Sequence, residues 1–283
     1  MICAALIATA LAAEPVETHI DGDPALFVRS AGKGKRTLVV IHGGPGTTHN
    51  HLEVMERLDG VRVVTWDQRG VGASEAPSDD DAWRLEDYIA DVERVRVWTG
   101  SETIDVLGHS WGGIVAMAYA TQHPNRLRSL VLVGSSGVTR DGNSRAGVAM
   151  GKRRQQLMDS GAMPDSPPEG LDPSCIDWWK TLATYYEDPR TFRADDLPGS
   201  CHPDVLSKTW RAVGQYDLRV GLAGLTAPTL LVFGSADPLR VNADTLTAAL
   251  PTVTSPTWIE GCGHRPMHEC PGAFFPLLDR FYQ

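Results

Sequence analysis

The chain has 283 residues, of which 42% are hydrophobic and 22% charged, and its formal net charge is −9. A chain of this length buries roughly three quarters of the surface that its unfolded form exposes, so it needs neither a metal nor a disulfide to fold. The composition excludes disordered and fibrous classes. The acidic balance argues against nucleic acid as a partner, and no apolar run is long enough for stable membrane insertion.

Residues 1–13 resemble the apolar region of a signal peptide. They are apolar from the second residue on, and Ala10 and Ala12 match the small-residue pattern of a cleavage site. No Lys or Arg precedes Arg29, so the positively charged start of such peptides is missing from this stretch. We expect a periplasmic or secreted protein; the alternative is a cytoplasmic protein in which this segment is buried.

Four cysteines remain when Cys3 is set aside, and they form two sequence-local pairs. Such an even set suits the disulfides Cys175/Cys201 and Cys262/Cys270 in an oxidising compartment. Four unrelated thiols are the alternative. No Cys or His pair shows the short spacing of a structural zinc site, and we expect neither a metal nor a cofactor.

Short β-branched apolar runs alternate with longer helical stretches along most of the chain. This alternation predicts an α/β fold with a mostly parallel sheet covered by helices. The predicted strands are Ala25–Arg29, Thr37–His42, Val61–Asp67, Ile104–Gly108, Leu130–Gly134, Thr229–Gly234 and Thr254–Ile259. The predicted helices are Leu85–Val97, Gly112–Gln122, Ala243–Ala249 and Pro271–Tyr282.

The alternation of strand-like and helical stretches stops between Thr139 and Leu222. Seven prolines interrupt short helical pieces there, and no strand-like run appears. We interpret residues 139–222 as a helical cap inserted between the later strands, over the carboxyl edge of the sheet. Residues 14–138 and 223–283 would then form the core.

The strongest functional signal is a predicted strand that runs into a Gly-x-Ser-x-Gly pattern around Ser110 and then into a helix. A serine at such a turn projects its hydroxyl from the backbone, and Gly108 and Gly112 remove side chains that would clash. The helix N-terminus offers free N–H groups to developing negative charge. We therefore predict that Ser110 is a nucleophile rather than a structural turn serine.

A serine hydroxyl needs a base, and the base needs an acid that orients it. Asp237 and His264 each follow a later predicted strand, at the end where open α/β sheets bind ligands. We predict Asp237 as the acid and His264 as the base. The alternative for Asp237 is a turn aspartate that bonds its own backbone before Pro238. His109 is expected to point away from Ser110.

A glycine-rich loop that begins at His42 follows another predicted buried strand. It can bring one backbone N–H opposite that of Trp111 and so form a two-donor pocket for an oxyanion; Gly44 is our candidate for the second donor. We predict that His42 braces the loop rather than acting as a base. No Lys follows these glycines in the spacing of a phosphate-binding loop.

Three segments together resemble the α/β-hydrolase fold and, within it, the proline iminopeptidase family. They are His42-Gly43-Gly44-Pro45-Gly46, Trp66-Asp67-Gln68-Arg69-Gly70-Val71-Gly72-Ala73-Ser74 and Gly108-His109-Ser110-Trp111-Gly112-Gly113. The third is general to the fold, whereas the first two are more specific. The resemblance covers about residues 37–134 and 226–264.

This resemblance implies the same roles: Ser110 as nucleophile, Asp237 as acid and His264 as base. It also implies that the backbone N–H groups of Gly44 and Trp111 bind the oxyanion. We expect the segment around Asp67-Gln68-Arg69 to brace the site rather than to touch substrate.

The predicted cap should decide specificity. An aminopeptidase needs a carboxylate to bind the substrate's ammonium group, and Glu187 is the nearest candidate, with a surface helix-end glutamate as the alternative. The family's Trp-x-x-Trp-Glu stretch is replaced here by Asp177-Trp178-Trp179-Lys180 and Tyr185-Tyr186-Glu187. These four aromatic residues could line an apolar substrate pocket or pack the cap onto the sheet, and we expect packing onto the sheet for two or three of them.

The sequence leaves three functions open. The first is a serine aminopeptidase that releases an N-terminal residue, with proline as one candidate, from small peptides. The second is an ester, lactone or amide hydrolase with the same triad and no ammonium site, so that the partner in either case is a small molecule or short peptide. The third is a catalytically inactive binding module. Carboxylates above Ser110 would separate the first from the second.

Overall fold

The structure is a computed structural model that describes residues 14–283. The predicted signal-peptide segment, residues 1–13, lies outside the described residues. Residues 14–283 contain one sheet of eight strands. These are β1 Val16–Ile20, β2 Leu26–Ala31, β3 Arg36–Ile41, β4 Val61–Trp66, β5 Ile104–His109, β6 Leu127–Val133, β7 Thr229–Gly234 and β8 Thr257–Ile259.

The sheet is antiparallel at one edge and parallel elsewhere. Its order is β1-β2-β4-β3-β5-β6-β7-β8, in which β1–β2 and β2–β4 are antiparallel and the other five pairs are parallel. The carboxyl ends of β3, β5, β7 and β8 therefore meet at one edge. The predicted α/β fold with a mostly parallel sheet is confirmed.

All seven predicted strands are present, with ends shifted by at most three residues. β6 begins earlier than predicted because the hydroxyl of Ser129 donates to Asp105 Oδ1 at 2.6 Å, which satisfies a polar side chain inside the strand. β1 is absent from the predicted strands because its side chains are mostly exposed and form no apolar run.

The α-helices in residues 14–283 include all four that were predicted. They are α1 Leu85–Thr99, α2 Trp111–Gln122, α3 Arg140–Asp159, α4 Trp179–Thr184, α5 Pro203–Val213, α6 Arg219–Leu222, α7 Ala243–Ala249, α8 Pro266–Glu269 and α9 Pro271–Tyr282. Short 3₁₀ helices are Asn50–Arg57, Pro124–Arg126, Pro173–Trp178, Pro189–Thr191, Ala194–Asp196 and Pro238–Asn242.

Helices cover both faces of the sheet. On β3, Val39 and Ile41 belong to the buried cluster that includes α1 and α2, whereas Leu38 and Val40 belong to a second cluster that includes α9. Because successive strand residues point to opposite faces, a strand covered on both sides must be apolar throughout. This explains the continuous apolar runs in the sequence.

The described chain between β6 and β7 forms helices α3 to α6 and no strand. It carries a buried cluster of its own, which includes Cys175, Trp179 and Tyr186. The boundaries 139 and 222 of the cap stay a prediction. Within residues 14–283, no helix combines the length and hydropathy needed to cross a bilayer.

Candidate active site

Ser110 occupies the sharp turn between β5 and α2. Its backbone has φ 58° and ψ −119°, and among residues 14–283 it is the only non-glycine residue with a positive φ. Such a conformation costs on the order of 1–3 kcal/mol and persists where the surroundings hold it. Here the Ser110 N–H donates to the Val133 carbonyl at 3.0 Å, and its carbonyl accepts from the N–H of Ser136 at 3.1 Å.

The glycines that flank Ser110 are required by close backbone contacts. A Cβ at Gly108 would clash with the carbonyl of Gly112, and a Cβ at Gly112 would clash with the carbonyl of Ile41 at the end of β3. The Gly-x-Ser-x-Gly pattern therefore lets the turn pack against the neighbouring strand. The predicted arrangement of strand, turn and helix around Ser110 is present.

Asp237 and His264 follow β7 and β8, and their side chains meet. His264 Nδ1 donates to Asp237 Oδ2 at 2.9 Å, and both side chains are buried. A carboxylate accepts only, so this bond places the imidazole proton on Nδ1 and leaves Nε2 free to accept one. Asp237 Oδ1 also accepts from the Leu239 N–H at 2.8 Å, so the predicted turn bond and the bond to His264 coexist.

Gly134, directly after β6, makes room for this pair. It has φ +53°, and a Cβ there would lie 2.7 Å from His264 Nδ1 and 2.8 Å from Asp237 Oδ2. Any larger residue would have to displace one of the two side chains. Gly134 stands at the carboxyl end of a predicted strand, but its contact with this pair was not predicted.

Two aromatic rings hold the imidazole of His264. The ring of Tyr185 stacks on it with centroids 4.3 Å apart, and the ring of His109 lies 4.6 Å away. The His264 N–H donates to the Tyr185 carbonyl at 2.7 Å, and His109 Nε2 donates to the His264 carbonyl at 3.0 Å. His109 lines the same cavity as Ser110, and the expectation that its side chain points away from Ser110 stays a prediction.

The glycine-rich loop after β3 lies against Ser110. A Cβ at Gly43 would be 3.0 Å from Ser110 Cβ, and Gly44 has φ +118°, a conformation that favours glycine. The Gly44 N–H donates to no acceptor in residues 14–283. Trp111 is the first residue of α2, so its N–H has no carbonyl one turn earlier to bind.

A network from the second motif braces this loop, as predicted. The Gln68 N–H donates to His42 Nε2 at 3.1 Å, and the Gln68 side chain donates to the His42 carbonyl at 2.8 Å and accepts from the Trp111 indole at 2.8 Å. Burial lowers the pKa of His42 to about 4. His42 is therefore neutral, and its two ring nitrogens bond the Gly43 carbonyl and the Gln68 N–H.

Asp67 binds the segment after the loop. Its Oδ1 accepts from His49 Nδ1 at 2.7 Å, and its Oδ2 accepts from the Ala73 N–H at 2.9 Å. Burial alone would lower the pKa of His49, but hydrogen bonds to Asp67 and Glu53 outweigh it and raise that pKa to about 9. Arg69 is paired with Asp91 at 2.8 Å and does not line the cavity beside Ser110.

A cavity of about 350 Å³ opens beside Ser110, and Ser110, His264, Gly43 and Gly44 line it. Apolar side chains from the segment between β6 and β7 supply much of the wall. They are Met150, Trp178, Leu182, Leu206 and Trp210. Among the described residues, no Asp or Glu lines this cavity, and Arg265 is the only Lys or Arg that does.

The structure does not bring Glu187 to this cavity. Glu187 is among the residues of a separate groove, its side chain is 49% exposed, and its nearest charged partner is Arg153 at 4.0 Å. Its backbone N–H is held by Glu269 at 2.8 Å. Glu187 is therefore a surface glutamate, which was the alternative interpretation. Its position does not support the predicted contact with a substrate amine.

The four aromatic residues near Glu187 divide evenly. Trp179 and Tyr186 belong to the buried cluster of the helical segment, whereas Trp178 and Tyr185 line the cavity. Trp178 and Tyr185 also pack against that cluster, and Tyr185 packs against the cluster of the sheet as well, so the expectation that two or three of the four pack the cap onto the sheet finds support only at Tyr185.

The four cysteines form two disulfides, so of the two alternatives left open by the sequence the structure has the paired one. Cys175 is joined to Cys201 with Cα atoms 5.0 Å apart, and Cys262 is joined to Cys270 with Cα atoms 6.2 Å apart. The first bridge closes part of the helical segment, and the second closes the turn that carries His264. In residues 14–283, no group of three or more His, Cys, Asp or Glu side chains is arranged to hold a metal.

The chain belongs to the alpha/beta hydrolase fold family, whose model matches residues 36–264. It is 41% identical over 101 residues to the proline iminopeptidase of Clostridium botulinum, covering 35% of this chain and 34% of that one. A second proline iminopeptidase, from Elizabethkingia meningoseptica, is 32% identical over 123 residues, 42% of this chain and 41% of that one. The predicted resemblance is thus confirmed, although the chain spans only about a third of the length of the curated relatives it matches.

The fold extends beyond the stretch of matching sequence. The crystal structure of a proline iminopeptidase from Mycobacterium smegmatis superposes with a TM-score of 0.70 at 20% identity, over 94% of this chain and 97% of that one. At that identity the likeness shows the shared fold.

Proposed function

We propose that this protein is a serine hydrolase in which Ser110, His264 and Asp237 form the catalytic triad. One observation carries the proposal: the buried hydrogen bond between His264 and Asp237 lies at the cavity that Ser110 lines in a strained turn. Strained nucleophile turns and oriented imidazoles are typical of acyl-transfer sites.

In the proposed reaction, Ser110 Oγ attacks the substrate's carbonyl carbon while its proton passes to His264 Nε2. Asp237 stabilises the resulting imidazolium. The carbonyl π bond breaks, and the tetrahedral oxyanion accepts hydrogen bonds from the N–H groups of Gly44 and Trp111. Collapse of the intermediate expels the leaving group with the proton from His264, and a water molecule then releases the acyl group by the same steps.

Two N–H groups without other acceptors support the assignment of the oxyanion site. Donors that are held in place before the reaction stabilise the developing charge without reorganisation, and loss of one typically costs about 3–4 kcal/mol of barrier stabilisation. The bracing of the Gly44 loop by Gln68, which also holds the Trp111 indole, fixes the position of both donors.

The first candidate substrate class is the N-terminal residue of a small peptide. The curated relatives named proline iminopeptidases support it. This function requires a carboxylate for the substrate's ammonium group, which the lining residues do not supply.

The second candidate class is an ester, lactone or amide of a small molecule without an ammonium group. The lining favours it, because the described residues around the cavity include Arg265 and no acidic side chain. A substrate cation would meet a like charge there, so we infer that this class fits the cavity better.

A fluorophosphonate probe tests the triad, because it labels a serine only when the hydroxyl is activated. We expect labelling of the wild type and none of Ser110→Ala, with unchanged thermal stability. Equal labelling of both would refute the assignment, and absence of labelling from both would favour the inactive binding module.

A substrate panel then separates the two classes. It contains unblocked prolyl and alanyl arylamides, their N-acetylated forms and short acyl 4-nitrophenyl esters. Rapid cleavage confined to the unblocked arylamides would establish the aminopeptidase. Cleavage of esters and blocked amides with no gain from a free amine is the result we expect.

A further inference from the structure

Arg265 is a buried residue at the cavity, and its guanidinium group makes few hydrogen bonds within the described residues. The residue is only 4% exposed, and it lines the cavity that holds Ser110. Its Nη1 donates to the Asp196 carbonyl at 2.5 Å. In residues 14–283 its Nε has no hydrogen-bond partner, and no bond is formed by its Nη2.

No carboxylate in the described chain forms a salt bridge with this guanidinium. Two acidic residues have atoms that bond Arg265 through the backbone, but their carboxylates have other partners. The Asp196 carboxylate lies 3.2 Å from His268 and 3.6 Å from Arg193. The Glu269 carboxylate accepts three backbone N–H groups, including that of Arg265. Neither carboxylate comes within 4.0 Å of the Arg265 guanidinium. Removing a lone charge from water costs several kcal/mol unless a counter-ion compensates it.

Two buried histidines stand beside Arg265 on the same wall. Both ring nitrogens of His51 lack a hydrogen-bond partner within the described residues, as does Nδ1 of His109, and both side chains line the cavity. Burial, and then the positive charge of Arg265, lower the pKa of His51 well below its usual range. His51 is therefore neutral, and Arg265 carries the positive charge of this wall.

We propose that Arg265 binds a carboxylate group of the substrate. This inference rests on the proposed function and names its substrate class: esters or amides that carry a carboxylate in the acyl part or in the leaving group. A guanidinium fits a carboxylate through two parallel N–H donors, and such charge-assisted bonds strengthen where water is excluded. The bound carboxylate also supplies the missing counter-ion.

Matched pairs of esters test the proposal on the wild type. For the acyl part, the pair is mono-(4-nitrophenyl) glutarate and its methyl ester; for the leaving group, it is 4-acetoxybenzoate and its methyl ester. After subtraction of spontaneous hydrolysis, we expect kcat/KM to be at least about tenfold higher for the charged member of one pair, which corresponds to about 1.4 kcal/mol. The pair that shows the preference locates the carboxylate. Equal or lower values for the charged member in both pairs would overturn the proposal.

Variants at Arg265 assign the preference. We expect Arg265→Gln to lower the charged-to-neutral ratio to about one and Arg265→Lys to retain part of it. The matched control is Arg190→Gln, which removes the same charge from an exposed side chain outside the cavity. A preference that survives Arg265→Gln, or that falls equally in Arg190→Gln, would show that Arg265 does not bind the carboxylate.

Binding of glutarate separates this inference from the proposed function. Glutarate is titrated into Ser110→Ala, which needs no catalysis, and into the same variant with Arg265→Gln, each checked for folding by circular dichroism. Saturable binding by the first and at least tenfold weaker binding by the second supports the inference even if no ester is hydrolysed. If Ser110→Ala does not bind glutarate and the wild type is not inhibited by it, the inference fails while ester hydrolysis still supports the triad.

Discussion

Asp237→Asn isolates the proposed role of the carboxylate in orienting the base. Asp237 uses Oδ1 to accept from the Leu239 N–H at 2.8 Å and Oδ2 to accept from His264 Nδ1 at 2.9 Å. An asparagine can keep its amide oxygen on Leu239. Its NH₂ group then faces His264 Nδ1 and can only donate, so the imidazole must carry its proton on Nε2, the nitrogen that has to accept the proton of Ser110.

The expected loss is large in rate and small in stability. A base held in the wrong tautomer lowers kcat by about 10⁴, and at 1.36 kcal/mol per tenfold this is roughly 5.5 kcal/mol of barrier. Because the hydrogen bond to the Leu239 N–H is retained, the variant keeps the ~1 kcal/mol that a helix cap contributes to the free energy of unfolding. The free energy of unfolding should therefore change by no more than ~1–2 kcal/mol.

The assay is kcat for the best ester of the panel, together with urea unfolding. Asp172→Asn is a matched control, because Asp172 also precedes a proline at the start of a 3₁₀ helix and accepts from the N–H two residues on, at 2.9 Å, without contacting a histidine. We expect this control to keep wild-type kcat. If Asp237→Asn retained kcat within tenfold of the wild type, Asp237 would not be the residue that orients His264.

Three further predictions concern the surroundings of the site. Gly134→Ala should lower kcat at least about a hundredfold, because the added Cβ displaces the pair of His264 and Asp237. The control is Gly60→Ala, at φ +72° in open space, which should lower only the free energy of unfolding measured in urea, by the ~1–2 kcal/mol that a left-handed backbone costs. Equal losses of kcat in the two variants would disprove the steric explanation. Because the folded pKa of His49 is about 9 against an ordinary value near 6.5, its stabilisation is full below pH ~6.5 and is lost as the pH rises through 9. The free energy of unfolding should therefore be larger at pH 6 than at pH 10 by an amount on the order of 3 kcal/mol, and this difference should shrink in His49→Gln. If His49→Gln left the difference unchanged, other groups would cause it. Replacing Cys175 and Cys201 together by Ala should lower the free energy of unfolding by roughly 3–4 kcal/mol, since their bridge spans 26 positions; a loss below about 1 kcal/mol would show that the bridge adds little to the fold.

The core could be predicted because burial on both faces leaves a direct trace in the sequence. β3 is apolar at Leu38, Val39, Val40 and Ile41, and each face packs against helices. β1 leaves no such trace, since its side chains are mostly exposed and its place at the edge is held by backbone pairing with β2. Edge strands with mostly exposed side chains are therefore the ones that a periodicity argument misses.

The catalytic candidates could be predicted for a topological reason. Residues that follow parallel strands arrive at one edge whatever their separation along the chain, so Ser110, Asp237 and His264 needed only correct strand assignments. Glu187 had no such constraint. It lies in an irregular stretch after α4, where composition does not fix the direction of a side chain, and its backbone is bound to Glu269 from a distant helix.

Net charge was a poor guide to the electrostatics of the cavity. The chain carries a net charge of −9, yet no acidic side chain of the described residues lines the cavity, and Arg265 is buried there without a carboxylate partner. Surface charges are screened over about 8–10 Å of salt solution, whereas a buried guanidinium is screened far less. At an effective dielectric constant of 20, an ammonium group about 5 Å from this guanidinium would be repelled by about 3 kcal/mol, and a carboxylate would be attracted by the same amount. The choice between a cationic and an anionic substrate therefore depends on one side chain beside the proposed base, and a count of charges along the chain cannot reveal it.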